Sequence, residues 1–512
     1  MKKILNYYIV AFSIIAMASC TKGLEELNVN RVNPTTLDPV LLLNNAIINT
    51  SFPTKTVIYE MSIVQQMVTP NGGVLAGGNF NQDSRDATNA STWAVYYQNV
   101  IKYTHDAIAK TKDDPTRANL YNMARIWQAY TYMLLTDTYG AIPYFEGGAG
   151  LTDQILLPKY DQQDAIYPDL MKEFEEASTA LNTSATIESS DLLYAGDIAK
   201  WKRLGYSLLL RAGMRLSKVD ASTAQSMVKK AVDGGVIMDN ADNAYMRHDA
   251  NYLNPIGNML NSTEAANWYL VNSFVDTLKN NNDPRLLSIS IRYKGATSGP
   301  DQTVDKGTTI PADQIGMPMG YDNGTIGTRV TADGLASFYD YSQVDRRRMA
   351  GTASPMFFVT ASQTQLLLAE ARYRGWITSG TASQYLEDGI RAHMNQLATY
   401  GSSAAIASAD IDTYLAAHPL VVGKELNQIN TQYWISSFLN GPEAFANFRR
   451  SGYPELAPNP YGQPSNPDVP NGTFIRRIGY PTSELSVNTD NVNAAISVMG
   501  PDKLSTGLWW DK

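Results

Sequence analysis

The 512-residue chain sets 41 Lys and Arg against 49 Asp and Glu, a formal net charge of −8, and is 44% hydrophobic and 18% charged. An acidic surface repels phosphate backbones, which argues against nucleic acid as a partner, and the apolar fraction excludes an intrinsically disordered chain. A single cysteine excludes a disulfide-built scaffold.

That residue, Cys20, stands where the first apolar run gives way to a polar segment. Lys2 and Lys3 supply a positive start, Ile9 to Met17 an apolar stretch shorter than the ~20 residues of a bilayer crossing, and Ala18-Ser19 a small-residue approach to a cleavage point. Residues 1–19 therefore read as a signal peptide. A lone thiol exported to an oxidising compartment is a liability unless modified, so acylation is the expected fate of Cys20, each buried CH₂ contributing ~0.8 kcal/mol to membrane anchoring. No later run is long enough for a membrane helix.

Beyond the leader the helical signal dominates. Between Arg117 and Asp137 the residues Leu120, Met123, Ala124, Trp127, Tyr130, Met133 and Leu134 keep the three-and-four spacing of one buried face, and Gly140 and Pro143 stop the run. Comparable patterns predict helices over Trp93 to Ala109, Asp164 to Leu181, Asp197 to Leu216, Ala221 to Val232, Glu264 to Leu278, Ala361 to Trp376, Ala382 to Leu397 and Lys424 to Leu439. Many fall in consecutive pairs, which must stack on neighbours to cover their apolar faces, although no clean 34-residue repeat is visible. Strand signal is confined to short runs such as Leu286 to Tyr293. Long loops near Ser298 to Thr308 and Ala457 to Asn471 interrupt the pattern without a linker, so residues 20–512 read as one domain with insertions.

Catalytic signatures are missing. There is no H-E-x-x-H, G-x-S-x-G or P-loop motif, and His105, His248, His393 and His418 are scattered. "GGVLAGG", Gly72 to Gly78, lacks the strand and helix of a nucleotide-binding loop and reads as a flexible surface loop. Asp137, Glu146 and Glu370 are carboxylates of the kind a glycosidase pairs, but such residues more often are solvated or cap helices. "DRRRM" at Asp345 and the pairs Arg449-Arg450 and Arg476-Arg477 read as salt-bridge and helix-end residues rather than an anion site. No loop satisfies the calcium pattern D-x-[DN]-x-[DN]-G, so neither metal nor cofactor is assigned.

The aromatic content points to a ligand instead. Thirty tyrosines against thirteen phenylalanines place ring area where a hydroxyl meets water or a polar partner. Phe80, Trp93, Tyr321, Phe338, Tyr339 and Tyr341 lie in loop-like contexts rich in Asn, Gly or Asp. Rings beside amides and charges suit a sugar or a peptide, one face stacking while polar groups read hydroxyls or backbone.

These segments resemble the SusD/RagB family of Bacteroidetes outer-membrane lipoproteins, closest to its SusD-like branch. The resemblance runs nearly end to end: "MASC" followed by "LEELNVNRVNP", "TWAVYYQNVIKYTHDAI", "TDTYGAIPYFE", "NNDPRL", "ASQTQLLLAEARYRGW", "QYWISSFLNGPEAFANFRRSGYPEL", "RRIGYPTSELSVNTDNVNAA" and the closing "GLWWDK". "NVNRVNP" departs from the Asn-Pro-Asn pattern common in relatives. The resemblance implies an all-α dominated fold, four tetratricopeptide-like helix pairs forming an α-α superhelix, with long loop insertions and minor β structure. It also implies a non-catalytic nutrient-binding protein, lipid-anchored through Cys20 on the cell surface of the outer membrane, that delivers oligosaccharides, or oligopeptides in the RagB branch, to a SusC-like TonB-dependent transporter. The ligand contacts expected are Asn71, Phe80, Arg85, Trp93, Tyr321 and Asp322. Trp93 roughly matches a tryptophan that stacks sugar in starch-binding relatives, a core position at a helix start being the alternative. "LNGPEAFANFRRSGYPEL" reads as scaffold, with Pro442 opening a short helix and Ala444, Phe445 and Phe448 facing inward.

Overall fold

The computed structural model describes residues 37–51, 53–72, 77–150, 152–462 and 466–511. The signal peptide, Cys20 and the centre of the glycine-rich stretch lie outside the described residues.

Several of the base helices begin on a side-chain acceptor. Asp197 accepts from the Lys200 amide (3.1 Å) ahead of Ile198–Arg215, Asp220 from the Thr223 amide (3.0 Å) ahead of Ala221–Gly234, and Thr360 forms a capping box with Gln363 at the head of Ala361–Tyr373. Each cap satisfies an amide that the first turn leaves without a carbonyl and contributes about 1 kcal/mol. Gly140 ends Ala118–Tyr139 at a φ of +87°, which favours glycine, and a Cβ there would lie 2.5 Å from Met499 Sδ.

Four helix pairs form the base. Pro39–Thr50 packs on Lys102–Thr111, Ala118–Tyr139 on Gln163–Ala180, Ile198–Arg215 on Ala221–Gly234, and Ala361–Tyr373 on Ala382–Gln396. Neighbouring pairs stack in turn. Gln163–Ala180 meets Ile198–Arg215 so closely that a Cβ on Gly205 would fall 1.8 Å from Ser178 Oγ. One continuous buried cluster runs from Val40 to Trp510 through these pairs. The fold is all-α and tetratricopeptide-like, as the periodicity predicts. Gly441–Ser451 is the inward-facing scaffold helix, with Ala444, Phe445 and Phe448 buried.

Strands are short and paired between distant segments: Met67–Val68 with Tyr269–Leu270, Ala244–Met246 with Met356–Val359, and Ser290–Tyr293 between Gly307–Thr308 and Gln343–Val344. Two predicted elements need correction here. The helix expected over Glu264 to Leu278 is only Asn272–Asn280, because Trp268 to Val271 is a continuous apolar run, buried throughout, that Tyr269 and Leu270 enter as strand opposite Val68 and Met67. The strand expected over Leu286 to Tyr293 starts only at Ser290. Asp283 accepts from the Arg285 amide (3.0 Å) and turns Arg285–Ile289 into helix first.

Charge is buried beside the apolar core and answered there. Arg450 donates to both Glu370 oxygens (2.8 and 2.7 Å), and Arg215 to Asp137 (3.1 Å) and Glu443 (2.7 Å). Burial works to raise the Glu370 carboxyl, yet the Arg450 and Arg374 guanidiniums hold it at about 2. Arg449 donates to the backbone carbonyls of Asp137 (2.7 Å) and Arg476 (2.9 Å), Arg477 pairs with Asp502, and Arg348 pairs with Asp345 (3.4 Å). The arginine pairs are thus structural, as expected.

Glu60 is the exception. Thr138 donates to its Oε1 (3.0 Å), while Oε2 is buried without a hydrogen-bond partner among the described residues. Burial pushes its carboxyl up to about 8. A carboxyl raised in the folded state binds its proton more tightly folded than unfolded, so its contribution is complete below the ordinary value of 4.5 and is lost as pH climbs towards about 8. Glu60→Gln should therefore raise the melting temperature at pH 9 and bring little change at pH 4.5, the difference growing by up to ~1.4 kcal/mol per pH unit within that window. Thermal denaturation followed by circular dichroism at the two pH values checks this, and an equal effect at both would refute it.

Candidate functional site

Insertions between the helices build a face from four segments remote in sequence. Loop residues around Pro70, Asn267, Asp322 and Asn459 meet there: the Asn323 amide donates to the Pro70 carbonyl (2.9 Å), Asn79 Nδ2 to the Thr69 carbonyl (2.7 Å), and Asn81 Nδ2 to the carbonyls of Asn459 (2.9 Å) and Tyr461 (3.1 Å). A small core of its own supports this face. Val68, Tyr269, Val271, Met317, Met319, Ile326, Val330, Leu335 and Tyr341 form it, with Tyr321 and Phe338 packed against its edge.

The surface so positioned carries half-buried rings beside amides and a carboxylate. Tyr321, Phe338, Tyr339 and Tyr461 are each half-buried, the Phe338 and Tyr339 rings stacked at 4.2 Å and 29°. Tyr461 donates to Asp322 Oδ2 (3.0 Å). Asp322 Oδ1 accepts from the Gly324 and Thr325 amides (both 3.0 Å) and from Thr325 Oγ1 (2.9 Å), a turn that fixes the loop, and these bonds, Thr325's first, hold its carboxyl below the usual range. Asn71 Nδ2 donates to Asn267 Oδ1 (2.7 Å), and Asn267 Nδ2 to Glu264 Oε2 (2.8 Å). The chain of amides leaves Asn71 Oδ1 as an acceptor at the outer end. Partly exposed rings beside fixed amides are equipped to stack a flat ligand and read its hydroxyls.

Of the six residues expected to contact ligand, the structure brings four to this face. Asn71, Tyr321 and Asp322 are partly exposed, whereas Phe80 is buried and acts from beneath, its ring 4.7 Å from that of Tyr461. Arg85 is elsewhere and engaged: it pairs with Asp83 (2.7 Å) and Asp502 and donates to the carbonyls of Tyr480 (3.0 Å) and Asp502 (2.9 Å), bolting the chain's C-terminal part to its N-terminal half. Trp93 takes the core alternative. It is 6% exposed, its ring stacked on Tyr160 at 6.0 Å and edged by Tyr139 and Tyr480. Its remaining edge lines a separate groove of about 750 Å³ walled by Tyr97, Ile155, Leu156, Leu157 and Val487.

Tyr461 and Asn267 escape sequence reasoning as site residues. The only local signal for Tyr461 is its setting in "APNPYGQPSNP", a loop composition, and nothing beside Asn267 marks it. Of the three carboxylates singled out in the sequence, Asp137 pairs with Arg215 and Glu370 with Arg450 in the interior, and Glu146 lies 3.7 Å from the exposed Lys159. Among the described residues no group of three or more His, Cys, Asp or Glu could hold a metal ion, and no helix is long and apolar enough to cross a membrane.

The profile of a SusD-like family, described as starch-binding and associating with the outer membrane, matches residues 30–481. A chitin-binding protein of known structure superposes with a TM-score of 0.80 at 30% identity, over 93% of this chain and 100% of its own. The Bacteroidetes AC2a SusD-like structure gives 0.79 at 27% identity over 93% and 100%, and a SusD homolog from Bacteroides uniformis 0.74 at 24% identity over 93% and 98%. The chain belongs to the SusD-like family. A search of curated proteins found no match.

Proposed function

We propose that the chain is a non-catalytic surface lipoprotein, one domain from Cys20 to Lys512, that captures oligosaccharides on the loop face and delivers them to a SusC-like TonB-dependent outer-membrane transporter. The observation that carries this reading is the set of half-buried rings, Tyr321, Phe338, Tyr339 and Tyr461, placed beside Asn71, Asn267 and Asp322 on loops with their own small core. Acylation of Cys20 would hold the protein on the outer leaflet, and a surface of the helix-pair base would rest on the barrel. The chitin-binding relative and the starch-binding description of the family support a glycan over an oligopeptide, and make chitin and starch fragments the first ligands to try. The ion pairs at Asp137 and Glu370 support a binding rather than hydrolytic role.

Calorimetric titration of the purified protein with chitohexaose, maltoheptaose and an oligopeptide mixture tests the reading. Saturable binding of one glycan class, with no reducing ends released on long incubation, is the expected result. Binding of peptides alone would replace the proposal with a RagB-like importer subunit, and steady release of reducing ends would make the protein an enzyme.

A further inference from the structure

The helices Asn272–Asn280, Ala382–Gln396, Ser408–Ala417 and Glu425–Ser436 enclose a cleft of about 200 Å³ that shares no lining residue with the loop face. Its floor is apolar. Leu386, Ile390 and Ile435 are buried there, and the Tyr414 ring lies stacked on the His418 imidazole at 4.2 Å and 24°. The rim is polar: Thr277, Asn281, Asn427, Thr431, Gln432 and His418 line it, and among the described residues no Asp, Glu, Lys or Arg does. The nearby Arg285 is neutralised by Asp283, its Nε 2.9 Å from Oδ1, and donates to Gln432 Oε1 (2.6 Å), which fixes that amide.

The rim's own hydrogen bonds decide what is left for a ligand. Nδ1 of His418 donates to the Tyr414 carbonyl (2.8 Å), which leaves Nε2 as the ring nitrogen free to take a ligand hydroxyl. Asn281 donates to the Thr277 carbonyl (2.7 Å) and keeps Oδ1 as an acceptor, while Thr431 donates to Asn427 Oδ1 (3.1 Å) and leaves Asn427 Nδ2 as a donor. Gln428, by contrast, is used up holding the Pro419 carbonyl (3.1 Å) and the Val421 amide (2.7 Å). Donors and acceptors therefore surround an aromatic and aliphatic floor that no carboxylate, ammonium or guanidinium lines.

We propose that this cleft is a second binding site, independent of the loop face, for a single neutral pyranose ring. Arg285 lies over the Tyr414 ring (5.8 Å) and His418 is stacked on it, so the apolar C–H face of a sugar covers Ile390 and the edge of the Tyr414–His418 stack, its hydroxyls donate to His418 Nε2 and Asn281 Oδ1, and a ring or hydroxyl oxygen accepts from Asn427 Nδ2. The cleft is smaller than the ~300–1,000 Å³ of sites for drug-sized ligands, which limits it to one ring or a chain end. With so few contacts the affinity falls in the millimolar range.

Saturation-transfer NMR with glucose, N-acetylglucosamine and glucuronate tests this on the full chain and on Tyr321→Ala, which removes a ring from the loop face. Thr431→Phe fills the cleft from a half-buried helix position, and His418→Ala removes one half of the stacked pair. Saturation of a neutral sugar should persist in Tyr321→Ala and fall at least about fivefold, roughly 1 kcal/mol, in both cleft variants. Absence of saturation in the parent, its survival in His418→Ala, or a stronger signal from glucuronate than from glucose overturns the proposal. Circular dichroism establishes that each variant is folded, and His418→Ala decides alone if Thr431→Phe is not.

Discussion

Replacing Glu443 by alanine is expected to cost about 3–5 kcal/mol of stability. Glu443 is 1% exposed, accepts from Arg215 Nη2 (2.7 Å) and the Tyr433 hydroxyl (2.6 Å), and lies 3.3 Å from Arg211. Burial works to raise its carboxyl, but the Arg211 and Arg215 guanidiniums hold it below the usual range, so it is ionised in the folded protein. Truncation would leave two buried guanidiniums with one carboxylate, Asp137, near them, Arg211 keeping only the neutral Gln363 Oε1 (2.8 Å) and the Phe358 carbonyl (3.3 Å). The control is Arg391→Ala, which breaks an exposed pair with Asp412 whose side chains are 41% and 59% accessible, a change worth about 0–1 kcal/mol. Chemical denaturation of the two variants should separate them clearly. If both unfold at the same denaturant concentration as the parent, the buried network does not stabilise the fold as argued.

The second large effect concerns binding and divides two aromatic residues that look alike in the sequence. Tyr321→Ala should weaken glycan binding at least about tenfold, ~1.4 kcal/mol, while the melting temperature moves by only a few degrees, because Tyr321 is half-buried at the edge of the small loop core. Trp93→Ala should do the reverse. Its ring is 6% exposed and packed between Tyr97, Tyr139, Tyr160 and Tyr480, so truncation removes core volume and costs about 3–5 kcal/mol, while the folded fraction binds glycan with unchanged affinity. Calorimetry paired with thermal melts reads both quantities. Lost affinity in a stable Trp93→Ala would move the ligand from the loop face to the groove beside Trp93.

What the sequence determined by itself was local. Helix periodicity, the caps at Asp197, Asp220 and Thr360 and the stop at Gly140 act within a few residues, so three of the four helix pairs were legible, as were the inward face of Gly441–Ser451 and the structural use of the arginine pairs, whereas Pro39–Thr50, the first helix of the first pair, was not predicted. Tertiary structure decided which residues meet. Tyr461 reaches Asp322 across 139 residues and Asn71 reaches Asn267 across 196, pairings that depend on how long loops close over the helical base and leave no periodic trace in composition. The same reason put Trp93 in the core and Arg85 in a bolt to Asp502: a ring or a guanidinium in a polar stretch has the same sequence signature whether it faces solvent or a partner hundreds of residues away.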